Sequence, residues 1–397
     1  MKAASRAVAI AGGGIGGLAA AIALAKRGIA VDVYERRETF SEDGAGIQIG
    51  PNGTKVLAEL GVGERLIEHV ATPDGIVVHD ALSGATLTRL PLGRWMETHH
   101  GAPYWTVQRR HLHAALLERA RSIDHISLAT NAGIDGFVDG IDGIDIKFAD
   151  GRQSKASVLL AADGLWSHLR PQIASHHHDR PIVPRAVGKA AYRTLVHSNT
   201  LTSELTRNEV HIWLSPGSHV VHYPVSAGQE TALIVVADDD ALSQTWSTPA
   251  QARDVVSRTQ HLAAPLVQLL STANDWRMWS LHTLEPLHSF AHGHAALLGD
   301  AAHPVLPFLA QGGVMALEDA VVLAKFLGSY ADRPKQALRL YSQDRCERVT
   351  RVMRASQRNG RIYHLDGIMA SARNGVLRMS PPSLVMRRFN WLYGWSA

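Results

Sequence analysis

Residues 7–35 read AVAIAGGGIGGLAAAIALAKRGIAVDVYE, and the fold turns on how this stretch divides. Ala7 to Ala11 alternate small and β-branched side chains, as a strand buried on both faces does. Leu18 to Arg27 is rich in Ala and Leu and is closed by Gly28, which reads as a helix; Ile29 to Tyr34 supplies a second strand. Gly12-x-Gly14-x-x-Gly17 therefore stands between strand and helix, and Glu35 ends the next strand 18 residues after the last glycine. Strand, glycine turn, helix, strand and acid in that order form the βαβ unit that binds a dinucleotide. Gly12 makes the tight turn, Gly14 lets backbone approach a pyrophosphate, and Gly17 allows helix to pack closely on strand. The helix start, at Ile15 and Gly16, turns its free N–H groups to the phosphates, while Glu35 would accept hydrogen bonds from ribose hydroxyls. The motif does not choose between NAD and FAD.

The same stretch, preceded by Lys2 and Arg6, has the outline of a secretory signal or membrane span. Gly12, Gly13, Gly14, Gly16 and Gly17 interrupt it and favour strand, turn and helix instead. No other stretch is long and apolar enough to predict stable membrane insertion. The 397 residues, 46% hydrophobic and 19% charged, predict a folded protein of more than one domain. A net charge of +4, from 40 basic and 36 acidic residues, is too small and too scattered to predict nucleic-acid binding. Cys346 is the sole cysteine, which excludes an internal disulfide framework and a Cys-rich metal site and fits a reducing compartment, the cytoplasm.

A second region bears on the cofactor. Ala295 to Leu298 is a short apolar strand leading into Gly299-Asp300-Ala301-Ala302-His303-Pro304, then Pro307 and Gln311-Gly312-Gly313, before a helix from about Val314 to Leu327. An aspartate at a strand end suits the hydroxyls of a ribityl chain, and a helix N-terminus suits the pyrimidine edge of a reduced flavin. The alternative is a plain capped turn with a buried aspartate.

Three motifs in sequence order, Gly12 to Gly17 with Glu35, Asp163-Gly164-Leu165-Trp166-Ser167-His168-Leu169-Arg170, and Gly299 to Pro307 with Gln311-Gly312-Gly313, resemble the FAD-dependent aromatic hydroxylases, which are single-component flavoprotein monooxygenases. Gly44 to Asn52 and Arg109-Arg110-His111-Leu112 narrow the resemblance to the branch of salicylate, 3-hydroxybenzoate and 6-hydroxynicotinate hydroxylases. The resemblance implies non-covalent FAD, with Glu35 and Arg36 at the adenosine ribose and Arg109 near the ribityl and pyrophosphate groups. Asp163 would serve the pyrophosphate and a passing nicotinamide, and Asp300 the ribityl hydroxyls. Backbone at Gly312, Gly313 and Val314 would meet the pyrimidine edge, with Pro307 near the site of reaction with O2. It also implies an α/β fold: a Rossmann-like FAD-binding domain (1–75, 101–182 and 281–335) with an inserted antiparallel-β substrate domain (76–100 and 183–280) and a C-terminal helical region (336–397). No second complete glycine unit is present, so NAD(P)H is expected only as a transient co-substrate.

Glu209 to Ser215 and His219 to Ser226 flank Pro216-Gly217-Ser218 as a hairpin, and Thr231 to Ala237 follows as another strand. Period-two alternation places His219, Val221 and Tyr223 on one face and Val220 and His222 on the other. Hydroxylating a ring with electrophilic oxygen, delivered in this family by a flavin C4a-hydroperoxide, asks for an electron-rich substrate. Deprotonating a phenol makes it so, and histidine is the natural base. His219 and Tyr223 match pocket positions of the 6-hydroxynicotinate and 3-hydroxybenzoate branch, with Val221 beside them and Gln48 near the flavin. Phe308 stands where several relatives carry a ring-facing histidine, which moves the relay onto His219.

Two other stretches read as ordinary surface. His176-His177-His178 are consecutive and cannot converge on one metal from a regular element, so no metal site is assigned. Arg339 to Arg361, with Leu338, Tyr341, Val349 and Val352 at helical spacing, reads as a packed helix with a solvated basic face. The aromatic stretch Phe389 to Trp395 either closes over the core or meets another subunit. The expected partners are a small aromatic substrate, O2 and NAD(P)H, in a monomer or homodimer. The expected reaction is hydroxylation of a small hydroxylated aromatic or N-heteroaromatic acid; the rivals are epoxidation or hydroxylation of a non-phenolic substrate, and a flavin-binding regulatory protein without turnover.

Overall fold

The computed structural model describes residues 7–41, 44, 46–174, 182–239 and 247–397; the His176 to His178 run lies outside them. Val8–Ala11 is the hub of a six-stranded sheet, paired in parallel with Val31–Tyr34 on one side and Val158–Ala161 on the other. Ile126–Ala129 and Ala295–Leu297 extend it in parallel, and Ala291–His292 closes one edge antiparallel. Such a sheet needs cover on both faces, and the central strands Val8–Ala11 and Val158–Ala161 are buried along their whole length. The helices Ile15–Ala25 and Gly312–Ser329 pack on each other beside this sheet, and Arg109–Arg121 packs against Ile15–Ala25 as well.

An eight-stranded sheet lies over the mouth of this unit, in the order Thr248–Ala250, Trp276–Thr283, Arg185–His197, Glu230–Asp238, Ser218–Val225, Glu209–Ser215, Gly75–Asp80 and Thr86–Pro91. The hairpin at Pro216-Gly217 is present, with Gly217 at φ +68°. The sheet is not wholly antiparallel: Glu209–Ser215 and Gly75–Asp80 run parallel. They come from distant parts of the chain, so no hairpin dictates their direction. The α/β class with an inserted, mainly antiparallel sheet is therefore the observed fold.

The face of this sheet turned away from the first unit carries Tyr192, Trp213, Val220 and Leu233, covered by the helices Ala252–Thr259 and Ala264–Ser271. A histidine stack lies on the same face. His79 Nε2 is 3.0 Å from His211 Nδ1, the His211 and His222 rings stack at 4.4 Å, and His79 stacks on Trp213 at 3.9 Å. Burial lowers all three pKa values, aided by neighbouring positive charge: His79 to about 4, His211 to about 3, and His222 well below its ordinary value.

The helix Pro334–Tyr363 runs along the first unit with Leu338, Tyr341, Val349 and Val352 buried, as their spacing requires. Its arginines are not all solvated. Arg345 is fully buried between Glu318 and Asp319, and Arg348 grips Glu318 with Nε at 2.5 Å and Nη2 at 2.6 Å. The C-terminal aromatics close over the same core: Tyr393 fills the space left by Gly50, and Trp395 covers the guanidinium groups of Arg345 and Arg348. Among the described residues, no helix is long and apolar enough to cross a membrane.

Candidate active site

The site begins at the glycine turn. Gly12 sits at φ +108°, and a Cβ there would lie 2.4 Å from the carbonyl oxygen of Ala162. A Cβ on Gly17 would lie 2.0 Å from the carbonyl oxygen of Gly12, so helix and strand meet at a distance only glycine permits. The Gly13 N–H donates to Glu35 Oε2 at 2.8 Å, and the Gly13 carbonyl is 2.8 Å from His113 Nε2. Glu35 Oε1 accepts from the Arg37 N–H at 2.9 Å. Both oxygens of Glu35 thus brace the loop while each keeps lone-pair capacity for a ribose. Glu35 and Arg36 line a cavity of about 180 Å³ with Gly12, Gly14, Asp163 and Asp300.

Asp163 divides its carboxylate. Oδ2 accepts from the N–H groups of His168 at 3.0 Å and Leu169 at 3.4 Å, the plain turn-capping role, whereas Oδ1 is buried with no partner. Arg170, at the end of the same motif, is a buried staple. Its Nε donates to Ala301 O at 2.6 Å, and its Nη2 to Leu165 O at 2.7 Å and Asp300 O at 3.3 Å. One guanidinium therefore ties the Asp163 loop to the Asp300 loop. Burial lowers its pKa to about 10, against the nearby Asp163 and Asp300, so it stays charged at neutral pH.

A second cavity, of about 300 Å³, shares Gly14, Arg109, Ala162, Gly164, Leu165 and Asp300 with the first, so the two are ends of one groove. Ile15, Gly16, Gln48, Pro307, Gly312 and Gly313 line its lower wall. The opposite wall is one face of the eight-stranded sheet: His219, Val221 and Tyr223 from one strand, Ile234 and Val236 from the next, then Arg193, then Trp279 and Leu281. Strand register puts His219 against Val236 and Arg193 against Ile234. The face expected for His219, Val221 and Tyr223 is the face observed.

One expected residue is placed otherwise. Phe308 does not line the cavity but packs behind His219, ring centroids 5.6 Å apart, in the space left by Gly360. Val314, expected to contribute its backbone, turns its methyls against Gly53.

His219 is buried and makes its hydrogen bond through Nδ1, 2.8 Å from Nε2 of His364, which leaves Nε2 for a molecule in the cavity. Burial, with His364 and Lys189 adding, holds its pKa well below the ordinary 6.5, so the ring is neutral at physiological pH. Tyr223 is hydrogen-bonded to Gln48, and burial raises its pKa against the pull of Arg193, so it keeps its proton. Gln48 in turn accepts from Tyr104 Oη at 2.7 Å.

Sequence reading missed Arg193. Its Nε is buried without a partner, its guanidinium lies 5.2 Å from the Trp279 ring centroid, and burial lowers its pKa. The signal was available: a lone arginine in the apolar strand Ala190-Ala191-Tyr192-Arg193-Thr194-Leu195-Val196 must find a counter-charge somewhere. Among the described residues, no group of three or more His, Cys, Asp or Glu is placed to hold a metal ion.

The groove fits FAD. Gly12 and Gly17 of the glycine turn are closed to any Cβ, Glu35 and Asp300 both line the smaller chamber, and Asp163 Oδ1 lacks a partner there. The N-terminus of Gly312–Ser329 opens onto the larger chamber. A family model described as an FAD binding domain matches residues 5–356. The 3-hydroxybenzoate 6-hydroxylase of Polaromonas naphthalenivorans is 33% identical over 389 residues, covering 98% of this chain and 96% of that one. The 6-hydroxynicotinate 3-monooxygenase of Bordetella bronchiseptica is 32% identical over 359 residues, 89% of this chain and 91% of that one. Klebsiella pneumoniae HpxO, solved with FAD and uric acid, superposes with a TM-score of 0.84 at 27% identity, over 96% of this chain and 95% of that one. The glycine turn, the groove and these likenesses agree: this chain belongs to the FAD-dependent aromatic hydroxylases, flavoprotein monooxygenases with an FAD binding domain.

Proposed function

We propose that the enzyme uses NAD(P)H and O2 to hydroxylate a small aromatic or N-heteroaromatic acid that already carries a ring hydroxyl. One observation carries this reading: Arg193, with an unpartnered Nε, and His219, with a free ring nitrogen, line the same apolar chamber from one face of one sheet. An anionic group opposite Arg193 satisfies a buried guanidinium that is otherwise costly, and a carboxylate does so with charge-assisted hydrogen bonds. A ring hydroxyl opposite His219 gives up its proton to a neutral imidazole, which enriches the ring in electrons at the moment of attack.

Bound FAD, reduced by NAD(P)H, supplies activation of O2 and delivery of one oxygen atom to the ring. The chain supplies orientation, proton removal and exclusion of water. Val221, Ile234, Val236, Leu281 and Trp279 make the chamber wall apolar, which protects the reaction from hydrolytic loss. Tyr223, fixed by Gln48, donates rather than accepts and so orients the substrate hydroxyl or ring nitrogen. Pro307, on the chamber wall, would stand near the flavin's site of reaction with O2, and Glu35, Arg36, Arg109, Asp163 and Asp300 would hold the rest of the cofactor. A cytoplasmic setting, with Cys346 reduced and NAD(P)H at hand, suits this chemistry, in a monomer or homodimer.

The test is oxidation of NADH and NADPH by the purified yellow enzyme, with O2 uptake and peroxide followed, over hydroxybenzoates, hydroxynicotinates and the same rings lacking hydroxyl or carboxylate. Stimulation with little peroxide, confined to rings bearing both groups, is the expected result. Stimulation by rings without an ionisable hydroxyl, such as the purine bound in the Klebsiella structure, would replace the phenolic reading with the non-phenolic one.

A further inference from the structure

His219 is not the end of its hydrogen-bond chain. His364, 2.8 Å away, caps the C-terminus of the helix Pro334–Tyr363 and is partly exposed, whereas His219 is buried at the cavity wall. Away from the cavity, aromatic rings pack around the pair, with Phe308 at 5.6 Å and Tyr363 at 5.3 Å from His219. Beyond His364 stand charged groups from three further elements. Lys189, on Arg185–His197, donates to Gly217 O at 2.8 Å and Asp238 Oδ1 at 2.5 Å; Arg373, on Gly367–Met379, donates to Tyr363 O at 2.8 Å. The path from chamber to surface is thus two imidazoles long.

We propose that His364 is the outlet of a proton relay that carries the substrate's hydroxyl proton from His219 out of the dry chamber to solvent. This rests on the reading of His219 as the base. The substrate O–H bond breaks as an N–H bond forms at His219 Nε2. The N–H bond at His219 Nδ1 breaks as one forms at His364 Nε2, and His364 gives its Nδ1 proton to water. Each ring ends neutral with its single N–H moved from Nδ1 to Nε2, and the charges left are the substrate's oxygen and the proton in solvent; the reverse transfers reset the rings when the product hydroxyl is reprotonated.

The surroundings favour passage over storage. Burial, then Lys189, lowers the pKa of His364 to about 4, with Asp238 opposing and Arg373 adding, so a proton arriving there is quickly surrendered. The partial negative charge of the helix C-terminus eases its transit. A lone buried His219 would instead hold an imidazolium beside the reacting ring, where burial opposes it.

The test needs no turnover. 3-Hydroxybenzoate is mixed with the FAD-loaded enzyme in weakly buffered solution, and proton release is followed with a pH indicator by stopped flow. His364→Gln keeps a hydrogen bond to His219 but has no proton to relay. It should retain FAD and bind 3-hydroxybenzoate as the parent enzyme does, yet release the proton at least about tenfold more slowly. In His364→Ala, added imidazole should restore the rate, and pyrazole, of the same shape but far less basic, should not. Unchanged release in His364→Gln, with release abolished in His219→Ala, would overturn the outlet and leave His219 as the base. Equal rescue by pyrazole would reduce His364 to packing and overturn the outlet too. Undiminished release in His219→Ala, or none in the parent enzyme, would overturn the base and the relay together.

Discussion

Asp319 Oδ2 accepts the peptide N–H of Gly299 at 3.0 Å, so a carboxylate inside the helix Gly312–Ser329 fixes the turn that carries Asp300. The same oxygen is 2.5 Å from His303 Nε2, and Oδ1 is 2.7 Å from Arg345 Nε. Burial alone would raise the pKa of Asp319; the charges of His303 and Arg345, with hydrogen bonds from His303 and Gly299, reverse that and leave it at about 2.

Asp319→Asn should leave Arg345 short of charge in a dry interior and cost about 3–5 kcal/mol, read as a lower denaturation midpoint and weaker FAD retention. A carboxyl depressed in the fold adds stability that is complete above its unfolded value of 3.8 and is lost as pH falls to about 2. Acid titration of stability should therefore be steeper in the parent than in Asp319→Asn between those values. Equal slopes would place the acid sensitivity elsewhere.

Arg193→Met should keep FAD but raise KM for a carboxylated substrate at least about 30-fold, since truncating one partner of a buried charge pair costs about 2–5 kcal/mol. The decarboxylated phenol should lose little. An equal loss for both would show that Arg193 acts on the flavin or the fold rather than on the carboxylate.

Gly17→Ala places a methyl 2.0 Å from the Gly12 carbonyl oxygen. The turn must open, and the purified protein should be nearly colourless, which the ratio of visible to ultraviolet absorbance measures directly.

His219→Ala should depress coupled hydroxylation about 10²-fold or more, the range for a general base, with far less effect on FAD content. Because burial keeps His219 neutral well below pH 6.5, the acid limb of kcat/KM in the parent enzyme should not fall at the ordinary histidine pKa. An acid limb centred near 6.5 would point to an exposed base.

The histidine stack should make the fold acid-sensitive in a milder range. His79, His211 and His222 bind protons more readily unfolded, near 6.5, than folded. Their effect is absent above about pH 7.5 and opposes folding increasingly as pH falls toward 4, by at most about 1.4 kcal/mol per pH unit for each ring. His222→Phe should flatten that loss, measured as denaturation midpoints from pH 7.5 to 4.5.

The glycine turn, its strand and its helix were legible because their causes are local: positive φ at Gly12, close contact at Gly17, and buried-strand patterning. The cavity face of Ser218–Val225 followed from period-two alternation, which a strand obeys whatever surrounds it. Arg345, Arg348 and His364 were not legible, because their partners come from remote segments and a basic run reads as solvated. A clue stood on the partner side: Glu318 and Asp319 interrupt the apolar run Val314 to Ala324, and adjacent acids inside a buried helix require cations. Arg193 hid for the complementary reason, since no carboxylate among the described residues is paired with it.

Ser356, Gly360 and His364 recur every fourth residue and form one stripe on the long helix. Ser356 Oγ donates to Leu306 O at 2.7 Å, Gly360 makes room for Phe308, and His364 meets His219. Eight residues at about 1.5 Å each span about 12 Å, so a rigid rod outside the pocket acts as a gauge block between the Pro307 loop and the histidine wall. The spacing between that loop and that wall is therefore set by a helix whose Ser356, Gly360 and His364 lie outside the cavity lining.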